Sequence, residues 1–186
     1  MSPVFKTLTN FLGRLTLLLL ALSLTTSCAH SGECKVNSSP PARWLLSSRP
    51  VEVKISAELE QECFDNVLAG LDFWYEKGIT FLVPKSVDKP IAGNGIIISN
   101  LDPWLPEPTL ATAHNRIDKG LMLYSEIRYR DCGFWVVIHE FGHALGLTHV
   151  DKTAGMTSEE KFENVMFSTN EHMGMSVTEK QLEQIR

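Results

Sequence analysis

Eleven consecutive residues, His139-Glu140-Phe141-Gly142-His143-Ala144-Leu145-Gly146-Leu147-Thr148-His149, constrain the fold of this 186-residue chain more than any other stretch. Residues four apart share a helix face, so a helix through His139 and His143 directs both imidazoles to one point. His149 cannot join them if that helix continues, because at about 1.5 Å per residue it would lie about 9 Å beyond His143. The helix must therefore end between them. Gly146 provides the end: glycine enters the left-handed conformation that closes helices at little steric cost, and the chain can then turn back. Three converging imidazoles are the ligand set of a catalytic zinc site, in which water takes the fourth position. Glu140, next to His139, is placed to serve that water as general base and not as a ligand. A polarised carbonyl and an activated water are what peptide-bond hydrolysis requires.

In a chain of this composition the short pattern His-Glu-x-x-His arises by chance about 1 or 2 times in 100, and the pattern extended through Gly146 and His149 only a few times in about 100,000. The extended pattern matches the signature H-E-x-x-H-x-x-G-x-x-H at every specified position, and in it the chain resembles the metzincin zinc metalloproteases. That resemblance implies a zinc-dependent endopeptidase acting on a protein or peptide substrate, with one catalytic Zn2+ on His139, His143 and His149 and with Glu140 as the catalytic base. It also implies a methionine turn beneath the zinc. Asn164-Val165-Met166-Phe167-Ser168 resembles this turn, with Met166 as its methionine, 17 residues after His149; Met156, Met173 and Met175 compete for the role.

The residue after the third histidine is Val150, where astacins usually carry Glu, reprolysin-like enzymes Asp and serralysins Pro. The text from Gly133 to Leu147 is most similar to the matrixin branch, although Val150 also departs from the usual matrixin serine. The chain thus resembles a compact, divergent bacterial matrixin-like protein. Many matrixins hold a structural zinc with histidines near Leu110-Ala111-Thr112-Ala113-His114, but Thr112 occupies the position of one such ligand and His114 stands alone. No second zinc is expected. A different class of protein fits the same ligands: a catalytically inactive, secreted or lipid-anchored binding protein that keeps zinc as structure. Retention of Glu140 argues against it, since metal ligation alone does not need that carboxylate.

Residues 1–27 carry Lys6, Arg14, no acidic residue and an apolar run from Leu15 to Leu24, the layout of a signal peptide. The run is short for a membrane span. Leu24-Thr25-Thr26-Ser27-Cys28 resembles a lipobox, with Thr25 where Leu is usual, so the chain is expected to be exported either as a cell-envelope lipoprotein acylated on Cys28 or as a secreted protein. Intact mass of the exported chain would distinguish the two. Removing Lys6 and Arg14 takes the net charge from -5 to -7, which disfavours nucleic acid as a partner. If Cys28 is lipidated, Cys34, Cys63 and Cys132 suggest one disulfide and one free thiol, with connectivity open.

Residues 28–49, rich in Ser and Pro, are expected to form a tether, followed by one domain over 50–186, a size suited to one core and read as a monomer. The expected fold is α+β and metzincin-like. Its twisted mixed β-sheet takes strands at 51–55, 80–83, 95–99, 110–114 and 120–127, the last two flanking a turn at 118–120. An N-terminal helix at 57–77 follows from apolar spacing through Phe64, Val67, Leu68, Leu71 and Trp74. The zinc-binding helix is expected to be capped by Asp131 and, from Trp135 and the Val136-Val137-Ile138 run, to be largely buried. A short C-terminal subdomain holds the methionine turn and a final helix opened by Thr178 and Gln181 as a capping box.

Overall fold

A computed structural model describes residues 42–45, 50–88, 94–99, 102, 104–107, 109–151, 153–168 and 174–186. The proposed signal peptide, Cys28, Cys34, Met173 and His172 lie outside the described residues. Among those described, no helix is long and apolar enough to cross a membrane.

The described chain forms a mixed α/β structure. Strands β1 (Arg43–Trp44), β2 (Val51–Ser56), β3 (Leu82–Val87), β4 (Gly95–Ile98), β5 (Ala111–Asp118) and β6 (Leu121–Tyr129) make one six-stranded sheet. Helices are α1 (Gln61–Glu76), α2 (Phe134–Ala144), α3 (Ser158–Phe162) and α4 (Glu179–Ile185). All pairings are parallel except that of β5 with β6. β6 takes β5 on one side, and β1 and β4 end to end on the other, so β5 and β3 lie at the two edges of the sheet among the described residues.

Periodicity explains which faces are buried. In β2, Val51, Val53 and Ile55 alternate inward, and in β6 the inward series is Ser125, Ile127 and Tyr129. In α1, Val67, Leu71 and Trp74 are buried at helical spacing, while Phe64 and Leu68 pack partly against the same core. α1 packs on α2, where the Trp74 indole donates to the Ile138 carbonyl at 3.2 Å. A disulfide between Cys63 and Cys132 joins the first turn of α1 to the residue before the N-cap of α2.

Several details depart from the sequence expectation. Arg43 and Trp44, read as tether, pair with Leu121 and Met122 of β6, and Ala42 and Trp44 are buried. β3 begins two residues later and runs further than its short apolar segment suggested, because an edge strand needs only its first residue, Leu82, in the core. Asp131 is not the cap of α2. The N-cap is Gly133, and Asp131 Oδ1 accepts from that residue's own amide at 3.0 Å in a turn just before the helix. Trp135 is 40% exposed, unlike the Val136, Val137 and Ile138 that follow it. The Thr178–Gln181 capping box opens α4 as expected, with both reciprocal bonds present.

Candidate metal centre

α2 ends where the spacing of the motif requires. Leu147 N–H bonds the Gly142 carbonyl and Gly146 N–H the His143 carbonyl, each at 2.9 Å, which is the paired closure of a left-handed helix stop. Gly146 has φ +96°, and a Cβ there would lie 2.0 Å from the carbonyl oxygen of Ala42. Both the dihedral and the close approach of β1 therefore demand glycine. The chain then returns toward the helix and brings His149 to His139 and His143.

The three ring nitrogens meet as the sequence predicts. His149 Nε2 lies 3.1 Å from His139 Nε2 and 3.0 Å from His143 Nε2. On the far side of the rings, His139 Nδ1 faces the Val165 carbonyl at 2.7 Å and His143 Nδ1 the Leu147 carbonyl at 3.0 Å. A carbonyl only accepts, so both rings carry their proton on Nδ1 and present a lone pair on Nε2. Two such lone pairs beside His149 Nε2 form a point where a cation could be held. Ligand nitrogens around a tetrahedral zinc, at bonds of about 2.0 to 2.1 Å, stand roughly 3.3 Å apart, close to the spacing found here. Among the described residues, His139, His143 and His149 are the group able to hold a metal ion.

Electrostatics keep these rings neutral. Burial, then the neighbouring His149, pushes His139 down to about 4. Burial and His139 push His143 down to about 3, and burial and His143 push His149 down to about 4, against opposing help from Asp151. Neutral imidazole is the form that ligates. Glu140, only 7% exposed, sits beside them in α2, and its Oε2 is buried without a hydrogen-bond partner among the described residues. In the absence of a cation, burial pushes its carboxyl up to about 8; a divalent cation nearby would draw it back toward the ionised form.

Met166 lies under the helix. It is fully buried, and its sulfur fills the space that a Gly142 side chain would take, with the Trp74 ring alongside. Its competitor Met175 is 46% exposed, and Met156 only partly buried. The Asn164–Phe167 turn that carries Met166 is closed by Phe167 N–H on the Asn164 carbonyl. Val150 is itself buried, and its N–H donates to the Met166 carbonyl at 3.1 Å. This bond ties the segment after His149 to the turn below it.

Sequence reasoning missed the residues that brace these parts. Buried Asn164 accepts from Met166 N–H and exchanges amide hydrogen bonds with Gln181, coupling the turn to the cap of α4. Asn115 of β5 donates to the His143 carbonyl at 2.8 Å, and Gln184 of α4 to the Gly146 carbonyl at 2.9 Å. Only Asn164 had a local signal, since Asn commonly accepts from the amide two residues on. On the opposite face of the β5–β6 hairpin, His114 Nε2 meets Thr112 Oγ1 at 3.2 Å, while facing Glu126 is engaged by Tyr124 and by Arg128. None of these residues belongs to the three-histidine group.

No protein-family model matches the chain, and no curated protein matches it in sequence. Among solved structures it is similar to High choriolytic enzyme 1, a hatching enzyme zinc-protease from the medaka fish Oryzias latipes, with a TM-score of 0.35 and 17% sequence identity. The match covers 67% of this chain and 54% of that one, so the chain spans about half the length of that neighbour.

Proposed function

We propose that this chain is a zinc-dependent endopeptidase of the metzincin type, in a divergent matrixin-like form. The observation that carries the reading is the convergence of three neutral imidazole Nε2 atoms beside a buried carboxylate oxygen that no group among the described residues satisfies. A metal centre needs only the first feature. The second is a group held ready for a proton.

When bound, zinc supplies Lewis acidity toward a water and a carbonyl. The protein's own residues do the rest. His139 and His143 are oriented through Nδ1 by the carbonyls of Val165 and Leu147, which fixes the direction of each Nε2 lone pair. Glu140 takes a proton from water at its carboxylate and returns it to the leaving amine nitrogen as the peptide bond breaks. Met166, as the methionine of the turn, fills the floor beneath Gly142. The outer side of β5, an edge of the sheet among the described residues, suits a peptide substrate, because an extended chain can add to a sheet edge through main-chain hydrogen bonds.

Glu140→Gln tests this reading against a binding protein that keeps zinc only as structure. The variant should retain zinc stoichiometry and lose about 100- to 10,000-fold in cleavage of a diverse peptide library, the usual weight of a general base. Wild-type protein that binds zinc yet cleaves no peptide in the library would support the binding protein instead.

A further inference from the structure

The short strand before residue 50 reaches the metal centre from behind. Trp44 is 4% exposed, and its indole Nε1 donates to the Ala144 carbonyl at 2.9 Å across a separation of 100 residues. Ala144 is the last residue of α2, whose end carbonyls have no partner within the helix. Two residues earlier, the Ala42 carbonyl occupies the space above Gly146. From the other side, Gln184 of α4 holds the Gly146 carbonyl. The turn between His143 and His149 is thus gripped by both ends of the described chain.

That turn decides ligand geometry twice. It sets where His149 returns, and its Leu147 carbonyl orients the His143 ring through Nδ1. We infer that Trp44 is a positioning residue for the metal centre: through the Ala144 carbonyl and the Ala42–Gly146 contact, it fixes the path of the 145–149 segment and with it two of the three ligand nitrogens. The inference rests on the metal-site reading above. It also implies that the working unit includes Ala42–Trp44 and does not start at residue 50.

A tryptophan needed only for packing would tolerate loss of its N–H. Trp44→Phe in the full chain keeps most of the apolar volume and removes the donor, leaving the Ala144 carbonyl buried and unpaired. Val53→Ala, a truncation of a fully buried side chain in β2, serves as the stability control. Zinc affinity is read by competition with a chromogenic chelator, and geometry by the visible spectrum of the cobalt-substituted protein. Groups that orient metal ligands typically contribute 10- to 100-fold in affinity. Acting one bond further out, Trp44→Phe is expected to weaken zinc about tenfold and to change the cobalt spectrum, while Val53→Ala leaves both as in wild type. An unchanged affinity and spectrum in Trp44→Phe, or an equal loss in Val53→Ala, overturns the inference while the metal site stands. Wild type that takes up neither metal overturns the metal site itself, and this inference with it.

Discussion

Replacing Gly146 by Ala should destabilise the protein far more than the same change at another glycine of similar dihedral. At φ +96° an alanine meets the left-handed penalty of about 1 to 2 kcal/mol. Its Cβ would also lie 2.0 Å from the Ala42 carbonyl oxygen and 3.1 Å from the carbonyl carbon. Backbone atoms have no rotamer by which to escape, so Ala42 must withdraw by roughly 1 Å or more to reach ordinary contact. Such a movement breaks the Trp44–Ala144 bond, worth about 1 to 3 kcal/mol when it leaves a buried carbonyl unpaired. Loosened packing of Ala42 and Trp44 adds about 1 to 2 kcal/mol. The expected total is about 3 to 7 kcal/mol, a large part of the stability of an ordinary domain. Gly155 is the control, because it has φ +84° and a Cβ there meets nothing within 4 Å. Gly155→Ala should cost only the dihedral penalty. Urea denaturation in the presence of chelator compares the two variants without the contribution of metal. A Gly146→Ala protein within about 1 kcal/mol of Gly155→Ala would falsify the close-approach argument, since strain alone would then account for both.

Two further outcomes can be measured on the same protein. Replacing Cys63 and Cys132 together by Ser removes a cross-link of 69 residues and should lower stability by about 4 kcal/mol on the chain-entropy model, seen as a reduced urea midpoint; no change would mean that the bridge does not restrict the unfolded chain. In metal-free protein, acid should destabilise through the three histidines. The unfolded chain takes up protons below about pH 6.5, whereas the folded rings resist until about 4 for His139 and His149 and about 3 for His143. Their contribution is therefore intact above pH 6.5 and lost as pH falls toward those values, by on the order of 1 to 2 kcal/mol per ring at pH 5. Glu140, raised to about 8 by burial, gains stability over the same range, but one group offsets less than three rings lose, so the urea midpoint should still fall from pH 7 to 5; a midpoint that rises would contradict the buried, neutral state of the rings.

The parts of the site that were legible in the sequence are those built by local geometry. Helical spacing places His139 and His143 on one face, and a glycine stop returns the chain, so the convergence with His149 needs no knowledge of the rest of the fold. The capping box at Thr178 and Gln181 is local for the same reason. The apolar run marks α2 as largely buried, which it is, without saying that Trp135 is the residue that faces out. Asp131 was misplaced because an acidic residue two positions before the true cap makes the same sequence pattern as a cap.

By itself, the sequence determined a helix through 139–144, its stop at Gly146, three histidines aimed at one point and a carboxylate among them. Only the tertiary structure decided what holds that arrangement: Trp44, Asn115, Asn164 and Gln184 on surrounding backbone groups, Met166 under Gly142, and the pairing of Cys63 with Cys132. The physical reason is that a helix chooses its partners along the chain at fixed intervals. The last carbonyls of that helix accept from whichever donor the fold brings near, and no periodicity in the sequence records which one that is.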